Sequence, residues 1–91
     1  MDKELFKVKV KRKAIKNLEQ LPKDYRLRVL EVLDRLRTDP IPFRSYDVKK
    51  LKGFEDTFGI RLGNLRIVYT IVWSSRTIIV HFIGPRKHAY K

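Results

Sequence analysis

The sequence predicts an α+β fold in which an N-terminal strand and two helices pack on a mainly antiparallel sheet, in the order β-α-α-β-β-β. Three observations carry that expectation. Apolar residues alternate with lysines near the start of the chain, recur at helical spacing through residues 12–38, and concentrate after residue 56 in runs separated by short turn sequences. At 91 residues the chain has room for one domain, spanning 1–91, with a core near the lower limit of what folds without disulfides or metal.

The first strand is expected over roughly residues 4–11, because Phe6, Val8 and Val10 alternate with Lys7, Lys9 and Lys11 to give one apolar and one wet face. Ala14, Ile15, Leu18 and Leu21 then follow the spacing of a short helix, which Pro22 interrupts. A second helix starts near Pro22 and runs to about Thr38, with Val29, Leu30, Leu33 and Leu36 as its apolar stripe; Asp39-Pro40 stops it. Prolines at 40 and 42 and lysines at 49, 50 and 52 make residues 41–53 an extended surface connection. The runs 57–62, 65–73 and 77–84 are separated by Gly63-Asn64 and Ser74-Ser75-Arg76 and form an antiparallel meander.

Composition narrows the function classes. With 22 Lys+Arg against 10 Asp+Glu, the formal charge of +12 creates a field that attracts polyanions. Nucleic acid satisfies that field, and so do an acidic protein partner or plain solvation. Cysteine is absent, which excludes disulfides and thiolate metal sites. The opening Met-Asp-Lys-Glu lacks an apolar signal stretch. The longest apolar-rich run, 65–73, contains Arg66 and falls well short of the ~20 residues a membrane helix needs, so the expected location is the cytoplasm, without membrane attachment.

The Gly63-Asn64 turn sets a register. A two-residue loop with Gly first, as in a type II′ turn, pairs Leu62 with Leu65 and therefore Arg61 with Arg66. Thr57, Gly59, Val68, Thr70 and Val72 share the arginines' side, while Phe58, Ile60, Leu62, Leu65, Ile67, Tyr69, Ile71 and Trp73 form the core side. Like charges facing each other on a sheet cost up to ~1 kcal/mol, so the pair calls for open water, nearby acids or an anion. Phosphate fits the planar, bidentate guanidinium. No acid follows Asp56 in sequence, although acids from the helices remain available. The segment Gly84-Pro85-Arg86-Lys87-His88-Ala89-Tyr90-Lys91 adds a donor-rich ending, and His81 reads as a packed or half-exposed strand residue.

Three motifs resemble the RelE/ParE superfamily of toxin–antitoxin systems. Lys50-Leu51-Lys52-Gly53 is similar to the family's LKG element; residues 60–69 are similar to its R-x-G-x-Y-R-x-x-Y strand pair; and residues 85–90 are similar to its H-R-x-x-x-Y ending. Leu65 stands where the family often has Tyr, Pro85 where many members have His, and Gly59 where the nuclease type can carry a lysine. The resemblance implies a ribosome-dependent, metal-independent endoribonuclease, or mRNA interferase, that cleaves messenger RNA by 2′-OH attack. ParE-like members inhibit DNA gyrase on the same fold, so a gyrase inhibitor or a noncatalytic antitoxin-binding relative is the alternative.

By the same resemblance, Arg61, Arg66 and Arg86 surround the scissile phosphate and Tyr90 stacks on or orients the substrate. His88, Lys52 and Tyr90 are the offered acid–base groups, of which histidine alone titrates near neutrality unperturbed. Lys49, Lys50, Lys52 and Lys87 are expected to bind RNA, with no cofactor and no metal. Lys7, Lys9, Lys11, Arg12, Lys13 and Lys16 either hold ribosomal RNA phosphates or only solvate their face. The partners implied are messenger RNA, the ribosome and a cognate RelB-like antitoxin in a hetero-oligomer, whose binding segment should be acidic and amphipathic.

Overall fold

Seven regular elements are set out along the chain in a computed structural model that describes residues 5–85. They are β1 (Lys7–Val10), α1 (Arg12–Glu19), α2 (Lys23–Leu36), β2 (Asp47–Lys50), β3 (Thr57–Leu62), β4 (Leu65–Val72) and β5 (Thr77–Pro85), with a 3-10 turn (Trp73–Ser75) before β5. The five strands form one sheet in the order β1-β5-β4-β3-β2. Every pairing is antiparallel except β1 with β5, which is parallel. The α+β expectation holds, with one strand more than the sequence pattern announced.

That strand is β2, inside the stretch expected to be an extended connection. Its sequence, Asp-Val-Lys-Lys, places only Val48 against the core and leaves the other three residues exposed. Backbone bonds to β3 make it a strand, because an open sheet edge supplies partners that local propensity does not announce. Tyr69 secures the approach to it: its hydroxyl donates to the Pro40 carbonyl at 2.7 Å. Burial, seconded by the Asp39 carboxylate, raises the Tyr69 phenol above its ordinary range.

Both helices lie between β1 and β2, which are opposite edges of the sheet, so the helical segment carries the chain across one face. The 14 residues of α2 reach about 21 Å at ~1.5 Å per residue. That is comparable to the ~19 Å spanned by five strands ~4.8 Å apart. Ala14, Val29, Val32, Leu33 and Leu36 meet Phe58, Ile60, Ile67, Tyr69, Ile71, Ile78, Val80 and Ile83 in the core.

Two helix-stripe expectations shift by a residue or two. Leu30 and Ile15 are exposed, and Val32 is fully buried instead. Trp73 departs from its expected core position: β4 ends at Val72, the 3-10 turn interrupts the alternation, and the indole is 48% exposed, in a T-shaped contact with Phe6 at 5.7 Å between centroids. Among the described residues no helix is long and apolar enough to cross a membrane.

Candidate functional site

The face of the sheet opposite the helices is assembled from rows of residues that the strand register sets side by side. One row runs Asp47, Arg61, Arg66, Gly84 across β2, β3, β4 and β5. The next runs Lys49, Gly59, Val68, Phe82, and the one after it contains Thr57, Thr70 and Ile79. Lys9 extends this last row on β1, opposite Ile79. The Arg61–Arg66 pair is therefore present in the register the turn predicts, with Gly63 at φ 63° supplying the positive angle that a first-position glycine adopts readily.

The two arginines sit differently. Arg61 is half exposed, and its Nε lies 3.4 Å from an Asp47 carboxylate oxygen. The acid beside the pair comes from β2 and not from a helix, and it offsets part of the repulsion between the paired guanidiniums. Arg66 is only 3% exposed and lies flat across Gly59: a β-carbon at position 59 would stand 3.0 Å from Arg66 Nη1 and 3.3 Å from its Cδ. A close approach of this kind is why glycine suits the position, and the space a side chain at 59 would fill belongs to Arg66.

A row of hydroxyls lies beside this. Thr57 Oγ1 donates to the Glu55 carbonyl at 2.9 Å, sits 2.8 Å from Thr70 Oγ1, and Thr70 Oγ1 in turn sits 2.8 Å from His81 Nε2. A bulge opposite Val68 and Tyr69 places both His81 and Phe82 between core residues Val80 and Ile83. Partial burial, then the positive charge of Lys11, lowers the His81 pKa and so favours the neutral ring.

Of the other expected residues, Lys49 is exposed in the row of Gly59, whereas Lys50 has the opposite parity on β2. Lys52 is exposed in the turn beyond β2. Lys7 and Lys9 stand exposed on β1, and Lys11, Arg12, Lys13 and Lys16 are exposed from the end of that strand into α1, with Lys13 Nζ 5.9 Å from the Phe82 ring centre. Arg86, Lys87, His88 and Tyr90 lie outside the described residues. Among the described residues no three His, Cys, Asp or Glu side chains are grouped as a metal site. Sequence reasoning placed Thr57 and Thr70 on this face but missed their link to His81 and the Asp47 carboxylate. Parity of 78 and 80 on β5 was the available signal for His81; nothing local pointed to Asp47.

Known proteins are similar to this chain in both sequence and fold. A family model described as the ParE toxin of type II toxin–antitoxin systems, parDE, matches residues 8–90. The chain is 35% identical over 86 residues to a candidate toxin, RelE1, of Methanocaldococcus jannaschii, covering 94% of this chain and 96% of that one. The archaeal RelE–RelB complex of Pyrococcus horikoshii contains a chain that matches with a TM-score of 0.82 at 35% identity, over 92% of this chain and 98% of its counterpart. A RelB–RelE complex of Methanococcus jannaschii matches with a TM-score of 0.75 at 26% identity, over 90% and 94% of the two chains.

Proposed function

The chain belongs to the RelE/ParE superfamily as a RelE-like toxin of a toxin–antitoxin system, and from that premise we propose that it is a ribosome-dependent, metal-independent endoribonuclease that cleaves messenger RNA. The observation that carries the reading is the Arg61–Arg66 pair on a basic sheet face, with the Arg66 guanidinium laid over Gly59. Cleavage by 2′-OH attack builds negative charge on the nonbridging phosphate oxygens. Two fixed guanidiniums stabilise that charge, each well-placed donor contributing about 3–4 kcal/mol by analogy with oxyanion holes. Arg86 completes the cationic set, Tyr90 orients a base, and His88 and Lys87 add donors from the C-terminal segment. Lys49, Lys52 and the β1–α1 lysines hold RNA phosphates without reading sequence, and Lys50 does so from the strand's other parity.

A RelB-like antitoxin is the proposed partner, since the Pyrococcus and Methanococcus relatives were solved as RelE–RelB complexes. Against a net charge of +12, an acidic amphipathic segment neutralises the face and excludes RNA, with association faster at low salt. The toxin would act in the cytoplasm, where its ribosomes are.

The test is to add purified toxin to translating ribosomes of verified integrity and map message cuts, with Arg61→Ala, Arg66→Ala and Arg86→Ala variants alongside. Cuts that vanish in folded variants and that need no stoichiometric metal on the toxin support the reading. Intact message together with arrested gyrase supercoiling would replace it with a ParE-like activity.

A further inference from the structure

We propose that His81 is the general base of the RNA-cleaving site, held in one tautomer by a relay of hydroxyls that begins at the Glu55 carbonyl. The proposal rests on the ribonuclease reading above. The polarity of the relay follows from counting hydrogens. A carbonyl oxygen only accepts, so Thr57 uses its hydroxyl hydrogen on Glu55 at 2.9 Å. The 2.8 Å contact between the two threonine hydroxyls is then donated by Thr70, whose hydrogen is thereby used. Thr70 has only a lone pair left for His81 Nε2, also 2.8 Å away, so Nε2 carries the hydrogen. In the neutral ring this leaves the lone pair on Nδ1, to which nothing among the described residues donates.

Partial burial, then the charge of Lys11, disfavours protonation of that lone pair. The neighbouring elements carry Lys9 on β1, Lys11 just after it, Lys13 on α1 above the Phe82 ring and Arg66 on β4, with the acids Glu19 at the end of α1 and Glu55 and Asp56 just before Thr57. The Arg66 guanidinium reaches over Gly59, one row from the Thr57–Thr70 row. Successive rows on one face are about 7 Å apart along the strands. That separation suits one nucleotide whose phosphate oxygen meets the guanidinium while its 2′-hydroxyl meets Nδ1.

The step balances as a transesterification. Nδ1 takes the 2′-hydroxyl proton, the 2′-oxygen bonds to phosphorus, the P–O5′ bond breaks, and the departing 5′-oxygen takes a proton from water. The products are a 2′,3′-cyclic phosphate and a 5′-hydroxyl, and the imidazolium returns its proton to the hydroxide left in solvent. Thr57 and Thr70 are positioning residues in this scheme.

The experiment has two readouts on purified toxin. Single-turnover cleavage of ribosome-bound message by His81→Gln and His81→Asn should fall by about 100-fold or more, with ribosome binding retained and the acid limb of the rate–pH profile lost. Nitrogen-15 NMR of the imidazole should show hydrogen on Nε2 in the wild-type protein. In Thr57→Val the Thr70 hydroxyl is free to donate to Nε2, so the population should move toward Nδ1–H while kcat falls and KM holds; Thr70→Ser should retain both tautomer and rate. A folded His81 variant that cuts at the wild-type rate overturns the base assignment and leaves the ribonuclease reading standing. A wild-type ring protonated at Nδ1 overturns the relay even if no His81 variant folds. Failure of the wild-type toxin to cut message overturns both readings.

Discussion

Replacing Gly59 by alanine tests whether the position of the Arg66 guanidinium, and not merely its charge, matters to function. The new methyl carbon would stand 3.0 Å from Nη1, 3.3 Å from Cδ and 3.6 Å from Cγ of Arg66. The first two separations are inside the ~3.5–4.0 Å of ordinary contact, so the side chain must lift by several tenths of an ångström. Two stability effects oppose each other. Alanine in a strand interior gains about 0.5–1 kcal/mol over glycine. A side chain pushed ~30° off its rotamer loses about 0.5–1.5 kcal/mol. The near-cancellation predicts a calorimetric Tm within about 5 °C of wild type. Message cleavage has no such compensation. Since a 1 Å misplacement costs about 100-fold, several tenths of an ångström predict a fall of about 5–10-fold. A Gly59→Ala protein with unchanged Tm and undiminished cleavage of ribosome-bound message would refute the reasoning.

Three further outcomes are expected. Tyr69→Phe removes the 2.7 Å bond to Pro40 and should cost about 1 kcal/mol in urea unfolding. The raised phenol pKa means that the folded state keeps its proton above pH 10.0 while the unfolded chain loses it, so wild-type stability should fall as pH rises through that region, and less steeply in the variant. Val32→Ala should destabilise by about 2 kcal/mol whereas Leu30→Gln should change little; equal effects in chemical denaturation would contradict the helix register seen here. Asp47→Asn breaks a half-exposed ion pair worth less than ~1 kcal/mol, yet should tighten binding of an RNA oligonucleotide in a filter assay by freeing Arg61 and removing a negative charge from the face. Weaker RNA binding would argue that Asp47 orients Arg61 productively.

The pairing of Arg61 with Arg66, and the assignment of Phe58, Ile60, Ile67, Tyr69 and Ile71 to the core, were legible in the sequence. A two-residue turn and a period-2 alternation are local properties, so neighbouring residues suffice to specify them. The family motifs were legible for a related reason, since they are short runs at set spacing. What the tertiary structure decided depends on who stands beside whom across the sheet. β2 became a strand because β3 offered an open edge, and with it came the Asp47 carboxylate beside Arg61. Val32 replaced Leu30 in the core because the face a helix buries is set by its orientation over the sheet, not by its stripe alone. Trp73 left the core where a 3-10 turn ended the alternation. The hydroxyl relay needed Thr57, Thr70 and His81 from three different strands, brought within hydrogen-bonding distance by register and a bulge. Hydrogen bonds act over about 3 Å in space, whatever the separation in sequence, and that is why the chain alone could list these residues but could not join them.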